Sequence, residues 1–345
     1  MAPYDAFLLV SFGGPEGPDD VLPFLRNVTA GRGIPDDRLA QVAEHYDQFG
    51  GISPINQQCR ELLAAIDKDL AATGIHLPVY WGNRNWQPYL ADTLATMAAD
   101  GVRRALAFVT SAYSSFSSCR QYLDDIEQAR AQVGPSAPQV DKLRLYFNHP
   151  GFVEPFAAAA AAAAQTLPAS VRRDYELVCV AHSVPTAMAE ASGPGGGAYP
   201  AQLAEVAGLV AERLGRERWQ LAYCSRSGPP SQPWLGPDVS DCLTELAGGG
   251  ARAAVVVPIG FVSDHMEVRF DLDTEAAETA GRLGLPFARA ATPGTDPRFV
   301  SMVSELVAER MSGTRPLAAG TMGPAPDSCR DGCCRLAAAR PRTAV

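Results

Sequence analysis

Eight short apolar runs, most of them followed by a stretch with helical periodicity, recur along nearly the whole 345-residue chain and restrict its possible folds. This alternation predicts parallel sheets with helices on both faces. The predicted strands are residues 7–12, 79–81, 105–111, 143–147, 177–181, 219–223, 253–259 and 287–291. The predicted helices are residues 54–73, 89–99, 119–133, 151–166, 202–214, 265–281 and 296–311.

The eight predicted strands divide into two sets of four at Asn148-His149-Pro150. We therefore predict an α/β fold of two similar doubly wound lobes, each a four-stranded parallel sheet flanked by helices, with a cleft between them. The last helix is expected to pack back on the first lobe. The predicted boundaries are 1–148 for the N-terminal lobe, 149–313 for the C-terminal lobe and 314–345 for a cysteine-containing tail without clear periodicity.

Charge and composition exclude some classes of function. A net charge of −9 and the lack of a lysine- or arginine-rich stripe argue against nucleic acid as a partner. The first ten residues lack the pattern of a secretory signal, and no apolar run is long enough to span a membrane, so a cytoplasmic location is expected. With 47% hydrophobic and 19% charged residues, we expect a soluble globular protein. A monomer is also expected.

The glycine-rich segments do not match nucleotide-binding loops. Residues 11–17 lack the G-x-G-x-x-G spacing, and Pro15 removes a backbone N–H that a phosphate would use. No G-x-x-x-x-G-K-[ST] sequence is present, and the cluster from Gly193 to Gly197 contains Pro194 and has no lysine nearby. We therefore expect no nucleotide cofactor.

The segment 253–275 joins a buried strand to a series of acidic side chains. The strand ends in a glycine, and Ser263-Asp264-His265 provides a helix start. Glu267, Asp271 and Glu275 follow at steps of four and form one slanting stripe on a helix, which a π-bulge would straighten into a row. The stripe is either a solvated acidic face or part of a ligand site at the strand's carboxyl end.

Polar and aromatic residues also follow other predicted strands. His182 closes the fifth strand and is expected at the cleft edge with one ring nitrogen free, although a lone histidine there is more often structural. Residues 111–118 contain five serines among aromatic residues, which suits a flat, apolar, anionic ligand. The sixth strand leads to Trp234-Leu235, either a rigid apolar wall or a packed loop.

Five segments, in this order, resemble the ferrochelatase family. They are LLVSFGGP at 8–15, GGISP at 50–54, AHSVP at 181–185, SRSGPP at 225–230 with the tryptophan and leucine that follow, and GFVSDHME at 260–267. The resemblance covers residues 5–311, and the short loops and acidic pI are similar to the actinobacterial branch. It implies an enzyme that inserts Fe²⁺, its substrate, into coproporphyrin III to form coprohaem.

The resemblance also implies roles for the acidic and imidazole side chains. His182 would be the pyrrole proton acceptor or a transient iron ligand, with Glu267 facing it across the site. Asp271 and Glu275 would extend a route for hydrated metal or for protons. Carboxylate and imidazole ligands suit Fe²⁺ that is held weakly enough to be released.

Contacts with the macrocycle are implied in the same way. Phe12 would pack against the ring on the side opposite His182, and a phenylalanine cannot coordinate iron. Trp234 would belong to the apolar wall. Because arginine pairs with carboxylates in a bidentate manner, the porphyrin carboxylates would be bound by an arginine together with hydroxyl groups, from Arg26 or Arg32 and from Ser53 and Tyr122.

Three cysteines crowd the end of the chain as Cys329, Cys333 and Cys334, a spacing better suited to a metal or cluster than to a disulfide. They resemble the family's optional [2Fe–2S] site, in which one cysteine from the body of the protein is the fourth ligand. The body cysteine expected after His149-Pro150 is missing, and a cluster needs four ligands. Either another residue completes the site or the tail thiols are reduced and exposed.

Two alternative functions use the same fold. Protoporphyrin IX carries two propionates and coproporphyrin four, so coproporphyrin needs polar partners around more of its rim. A non-catalytic tetrapyrrole carrier would use the same cleft, but it has no reason to retain both His182 and Glu267.

Overall fold

The computed structural model describes residues 4–31, 33–228, 231–329 and 332–335, and within these ranges the strands form two four-stranded parallel sheets. The first sheet has the order β2-β1-β3-β4, and its strands are β1 (Ala6–Ser11), β2 (Val79–Asn83), β3 (Arg104–Val109) and β4 (Gln139–Lys142). The second has the equivalent order β6-β5-β7-β8, with β5 (Glu176–His182), β6 (Gln220–Cys224), β7 (Ala254–Val257) and β8 (Phe287–Arg289). The predicted fold of two similar α/β lobes is confirmed.

Helices cover both faces of each sheet. They are α1 (Pro18–Val28), α2 (Asp36–Asp47), α3 (Ile55–Ala72), α4 (Leu90–Ala99), α5 (Gln121–Val133), α6 (Pro150–Thr166), α7 (Thr186–Glu190), α8 (Ala198–Arg213), α9 (Val239–Gly248), α10 (Ala277–Arg282) and α11 (Pro297–Ser312). Two π-helical segments, Phe116–Arg120 and Val268–Ala276, lead directly into α5 and α10. None of the described helices combines the length and apolar composition of a membrane-spanning helix.

The central strands are apolar because both of their faces are covered. Every residue of β1 and of β7 is buried, and each strand pairs with a parallel neighbour on both sides. Strands buried on both faces read as continuous apolar runs rather than as alternating patterns. The predicted ends of these two strands therefore lie within two residues of the observed ends.

The fourth strand was predicted wrongly at residues 143–147. The strand is β4, whose side chains are only partly buried because it forms the sheet edge. The predicted run is buried for a different reason, since it leaves the sheet after the Leu143 N–H bonds to the Ala107 carbonyl. Its side chains then enter the core between the lobes, where the Tyr146 hydroxyl donates to the Val109 carbonyl at 3.0 Å.

Helix α11, although it is late in the chain, packs against α3 of the first lobe. The hydroxyls of Ser301 and Ser304 donate to the Asp69 carboxylate of α3 at 3.2 and 2.5 Å. The ring of Phe299 meets Phe108 of β3 edge to face, with centroids 6.1 Å apart. The first lobe is therefore covered on one side by the end of the chain.

The segment after α11 has neither helix nor strand, but its backbone is fixed by hydrogen bonds to both halves of the chain. Asn148 accepts from the Ala319 N–H at 2.7 Å and donates its side-chain amide to the Gly323 carbonyl at 2.7 Å. The Glu205 carboxylate of α8 accepts from the Met322 N–H at 3.0 Å. This pattern explains why a segment without periodicity is ordered.

Candidate active site

The catalytic candidates of the second lobe lie at the topological switch point of its sheet. In the order β6-β5-β7-β8, the crossover direction reverses between β5 and β7, and open α/β sheets bind ligands there, beyond the carboxyl ends of the strands. His182 ends β5, and the loop after β7 leads to Glu267. This loop passes very close to β5, since a Cβ atom on Gly260 would lie 2.7 Å from the Ala181 Cα.

His182 is held so that only one of its ring nitrogens faces the cleft. Its Nδ1 hydrogen bonds to the Ser183 carbonyl, and its own carbonyl accepts from the Tyr199 hydroxyl at 2.8 Å. The Nε2 atom then lies 3.4 Å from Oε1 of Glu267. The two side chains therefore face each other at contact distance, which leaves no room for a macrocycle between them.

The pair is strongly coupled electrostatically. Burial alone would lower the pKa of His182, but the charge and hydrogen bond of Glu267 outweigh it and raise that pKa to about 9. Burial would raise the pKa of Glu267, whereas the charge and hydrogen bond of His182 lower it to about 2. Their side chains are 35% and 44% exposed, so the charged pair can be reached from the cleft.

His265 is a third member of this group that the sequence interpretation did not assign. Its Nδ1 accepts from the Glu267 N–H at 3.2 Å, and its Nε2 lies 3.9 Å from Oε2 of the same residue. Burial lowers the pKa of His265, which favours the neutral ring. The Ser-Asp-His helix start was the signal in the sequence, but only the fold shows that the imidazole turns towards the carboxylate.

The acidic stripe continues along the π-helix Val268–Ala276. Asp271 accepts a hydrogen bond from the hydroxyl of Ser225, which follows β6 with a positive φ of 59°. Burial, followed by repulsion from Glu267, raises the pKa of Asp271 to about 7. Glu275 is exposed at the far end of the stripe, and burial together with repulsion from Asp238 raises its pKa.

The four predicted metal-ligating residues do not form one ready-made cage. Within the described ranges, no three His, Cys, Asp or Glu side chains are arranged to hold a metal ion together. Instead, the side chains follow one another from His182 and Glu267 through Asp271 to the surface at Glu275, as the π-helical geometry predicts.

Phe12 and Tyr122 both lie near the guanidinium of Arg84, a residue that the sequence interpretation missed. Phe12 is half-buried after β1, while Tyr122 is buried. The Arg84 guanidinium lies 5.7 Å from the centroid of the first ring and 4.5 Å from that of the second. Arg84 also pairs with Asp125. Its position just after β2 was the available signal, since polar residues at strand ends line ligand sites in α/β folds.

The other predicted ring contacts have differing surroundings. Ser53 is buried against the Gly14 backbone, where a Cβ atom on the glycine would lie 2.8 Å from the serine Cβ. Trp234 forms an antiparallel bridge with Pro185, and its Nε1 has no hydrogen-bond partner among the described residues. Arg26 is exposed on α1 in an ion pair of 3.2 Å, while Arg32 lies outside the described residues.

The two lobes meet beside the catalytic pair. Met266, which precedes Glu267, packs into an apolar cluster with residues of α1 and α2. Next to it lies a cavity of about 350 Å³ lined by Phe49, Ile52, Pro54, Met266 and Arg269. An apolar recess with few polar groups, close to perturbed titratable side chains, is the usual character of a small-molecule site.

The predicted cluster cysteines are only partly sheltered. Cys333 and Cys334 are buried with their sulfurs 3.7 Å apart, whereas Cys329 is exposed. The Gly193 N–H donates to the Cys334 sulfur at 3.1 Å. The buried pair has the spacing of two thiolates on one metal ion, because a tetrahedral site with bonds of about 2.3 Å has edges of about 3.8 Å. Within the described ranges, however, these cysteines are not part of any group of three side chains placed to hold one metal ion.

Comparisons with known proteins identify the family of the chain. The sequence model of the ferrochelatase family matches residues 4–311. A coproporphyrin III ferrochelatase from Frankia alni is 59% identical over 96% of this chain and 86% of its own length. Another, from Streptomyces coelicolor, is 53% identical over 99% of this chain and 96% of its own.

A solved structure extends the comparison to the fold. SirB from Bacillus subtilis, solved with Fe³⁺, superposes with a TM-score of 0.56 at 10% identity, covering 90% of this chain and 97% of its own. The two lobes and the site at their strand ends thus define a chelatase-like α/β protein. More particularly, the chain belongs to the ferrochelatase family, whose members insert metal ions into porphyrins.

Proposed function

We propose that this protein inserts Fe²⁺ into coproporphyrin III to give coprohaem. The single observation that carries the catalytic assignment is the contact between His182 Nε2 and Glu267 Oε1 at the carboxyl ends of β5 and β7. The choice of porphyrin is supported by relatives named as coproporphyrin III ferrochelatases, which are 59% and 53% identical to this chain.

The proposed reaction replaces two pyrrole N–H protons by one Fe²⁺, so the site must remove two protons. His182 would accept a pyrrole proton at Nε2, because its Nδ1 is committed to the Ser183 carbonyl. With a pKa of about 9, the imidazole is protonated at neutral pH and must first release that proton. An arriving Fe²⁺ would drive this release, since it repels the imidazolium and takes over the attraction of Glu267.

Asp271 would serve as the second proton acceptor or as a station for hydrated iron. Its pKa of about 7 lies close to neutral pH, where a group can both take up and release protons efficiently. Glu275 would connect this carboxylate with solvent, because it is exposed at the end of the same stripe. The Ser225 hydroxyl would hold Asp271 in place.

The proposal also includes the residues that would contact the faces of the porphyrin ring and its propionates. Phe12 and Trp234 would supply apolar surfaces, and Arg26 would bind a propionate by exchanging its exposed partner Asp36. Exposed ion pairs contribute only about 0–1 kcal/mol, so replacing Asp36 by a propionate costs little free energy. The remaining proposed partners for the propionates are Ser53, Tyr122 and Arg32.

Steady-state insertion of Fe²⁺ into coproporphyrin III and protoporphyrin IX, measured anaerobically, tests the choice of substrate. We expect a clearly higher kcat/KM for coproporphyrin III. A preference for protoporphyrin IX would overturn the substrate assignment while leaving the chemistry intact.

Replacement of the proposed acceptor tests the mechanism. His182→Ala should abolish insertion while porphyrin binding, followed by fluorescence, stays largely intact, because walls and carboxylate contacts hold the ring. The matched control His76→Ala removes an exposed histidine and should keep the wild-type rate. Normal turnover by the His182 variant would show that the assigned base is wrong.

We also propose that the C-terminal cysteines hold a [2Fe–2S] cluster. The supporting observation is the buried Cys333–Cys334 pair with its 3.7 Å sulfur spacing, together with Cys329 nearby in the chain. A cluster of this kind supplies a one-electron couple and ties together the segments that provide its thiolates.

A further inference from the structure

The cavity between the lobes adjoins two parts of the proposed porphyrin site. Two of its lining residues, Ile52 and Pro54, flank Ser53 in the chain, and a third, Met266, precedes Glu267. Its volume of about 350 Å³ lies at the lower end of the range for small-molecule pockets, about 300–1,000 Å³. The cavity would therefore hold one side of a tetrapyrrole rather than the whole ring.

Arg269 gives this cavity its positive charge. Of the described residues that line the cavity, Arg269 is charged and the other four are apolar. Its side chain is 43% exposed, yet its Nε is buried and has no hydrogen-bond partner among the described residues. Buried donors without a partner are uncommon in folded proteins. The guanidinium therefore retains a capacity to bind a ligand.

The carboxylate that pairs with Arg269 is shared with a second arginine. Asp273 lies one turn further along the π-helix, with its Oδ2 3.5 Å from Nε of Arg269. The same carboxylate accepts two hydrogen bonds from Arg289 of β8, at 2.8 and 2.7 Å. Asp273 is thus bound in a bidentate manner by Arg289, and it leaves the donors of Arg269 only loosely engaged.

Contacts with the first lobe hold Arg269 in position across the cleft. Its guanidinium lies 5.6 Å from the ring centroid of Phe49, which follows α2. The adjacent Phe270 stacks on His45 of α2, with centroids 3.8 Å apart and ring planes 8° apart. A cation that is already ordered loses less conformational entropy when it binds a ligand.

The cavity has the chemistry to bind a ring edge that carries a carboxylate. Its apolar walls suit the macrocycle, and its arginine suits an acidic substituent. The other residues proposed to bind propionates all come from the first lobe: Arg26, Arg32, Ser53 and Tyr122. Arg269 adds a cation from the second lobe, which a ring with four propionates can use and a ring with two does not require.

We propose that Arg269 binds a propionate that coproporphyrin III carries and protoporphyrin IX lacks, which makes it a specificity-determining residue. The contact would consist of two parallel N–H···O bonds from the guanidinium to the carboxylate. The inference rests on the proposed substrate, coproporphyrin III, but not on the assignment of His182 as the base.

The test measures the Kd of each porphyrin for the full iron-free chain by fluorescence. Arg269→Gln should raise the Kd for coproporphyrin III by about tenfold or more, because a charge-assisted bidentate contact is lost, and should change the Kd for protoporphyrin IX by less than about twofold. An unchanged Kd for coproporphyrin III would overturn the proposal. An equal rise for both porphyrins would also overturn it, since a merely structural role predicts that result.

The matched control Arg252→Gln removes an exposed arginine that pairs with Asp174 at 3.1 Å. Arg252 precedes β7 and so lies at the opposite edge of the sheet from the site. Both Kd values should therefore stay at the wild-type level in this variant. A rise for coproporphyrin III as large as that in Arg269→Gln would show that overall charge, rather than a contact in the cavity, controls binding.

A second variant of Arg269 separates its charge from its packing. Arg269→Lys keeps the positive charge and should bind coproporphyrin III more tightly than Arg269→Gln does, and equal binding by the two variants would contradict the inference. No readout requires turnover. Wild type that fails to bind coproporphyrin III would overturn the proposed substrate together with this inference, whereas tight binding by both wild type and Arg269→Gln would overturn this inference alone.

Discussion

At the scale of single residues, His182 and Glu267 stabilise each other's charged forms. The histidine pKa is raised to about 9 and the glutamate pKa lowered to about 2, so the pair holds one proton across the neutral range. A base that stays protonated is inactive until something displaces the proton. In the proposed mechanism, the arrival of a cation displaces this proton.

Glu267→Gln should lower the pKa of His182 from about 9 towards its ordinary value of 6.5, because the charge that offsets burial most strongly is removed. The imidazole would become neutral at lower pH, so the acidic limb of the pH–rate profile should move towards lower pH in any residual activity. Nuclear magnetic resonance titration of the iron-free protein measures this directly, with His76 as an internal reference. A His182 pKa that stays near 9 would contradict the coupling.

Asp271→Asn should stabilise the fold at alkaline pH. The pKa of Asp271 is about 7 in the folded protein against 3.8 as the ordinary value, so its contribution favours folding below pH 3.8 and is lost as pH rises through about 7. Asparagine does not ionise and avoids this loss. Thermal melting should show a higher Tm than wild type at pH 8 and no difference near pH 4; an offset independent of pH would refute the assignment.

The same substitution should impair iron handling more than porphyrin binding. Asp271 lies between Glu267 and the exposed Glu275, so its loss interrupts the proposed route. We expect a severalfold higher KM for Fe²⁺ with a nearly unchanged porphyrin Kd. An unchanged iron dependence would remove Asp271 from that route.

At the scale of secondary-structure elements, the loop after β7 depends on a glycine where it passes β5. Gly260→Ala would place a Cβ atom 2.7 Å from the Ala181 backbone, and such overpacking costs about 1–3 kcal/mol. The control Gly281→Ala in α10 meets no atom within 4 Å and should be neutral or slightly stabilising. Urea unfolding compares the two variants, and equal stabilities would contradict the close approach.

Strand positions were predictable where burial on both faces made continuous apolar runs, and uncertain at the edge strand β4. Helices α1, α2, α7 and α9 were not predicted. Helix α1 buries an apolar face of Val21, Phe24 and Leu25, but Pro18 and Pro23 interrupt its helical pattern in the sequence. Helix α2 buries only Leu39 and Tyr46. Tertiary packing against Met266 of the other lobe stabilises α1 and α2 instead.

Part of the candidate site was predictable from the arrangement of the parallel strands. The carboxyl ends of parallel strands meet at one sheet edge, which placed His182 and Glu267 in one region before the structure was known. Their 3.4 Å contact, the orientation of His265 and the stacking of Arg84 on Tyr122 depend on side-chain packing between distant segments. No local sequence pattern carries that information.

At the scale of the whole molecule, a buried ion pair joins the centre of the chain to its end. Arg144 binds Glu309 of α11 through two hydrogen bonds of 2.6 and 2.9 Å, and the two side chains are 3% and 9% exposed. The carboxylate also accepts the Leu317 N–H at 3.0 Å. Residues 144 and 309 thereby fix the segment that follows α11.

Glu309→Ala should destabilise the protein by about 3–5 kcal/mol, because it leaves the Arg144 charge buried and unpaired. The control Glu127→Ala breaks the exposed pair with Arg130 and should change stability by less than about 1 kcal/mol. Chemical denaturation gives both values. A loss of stability as small in Glu309→Ala as in the control would mean that water reaches the Arg144 guanidinium.

The packing of α11 on α3 has a consequence for protein synthesis. The ribosome completes β4 at residue 142, yet the helix that covers this lobe ends at residue 312. At 5–20 residues per second, the nascent N-terminal lobe waits roughly 10–30 s for its last helix. During that interval the apolar surface around Phe108 that Phe299 later covers is exposed, and exposed apolar surface on an incomplete chain is what chaperones bind.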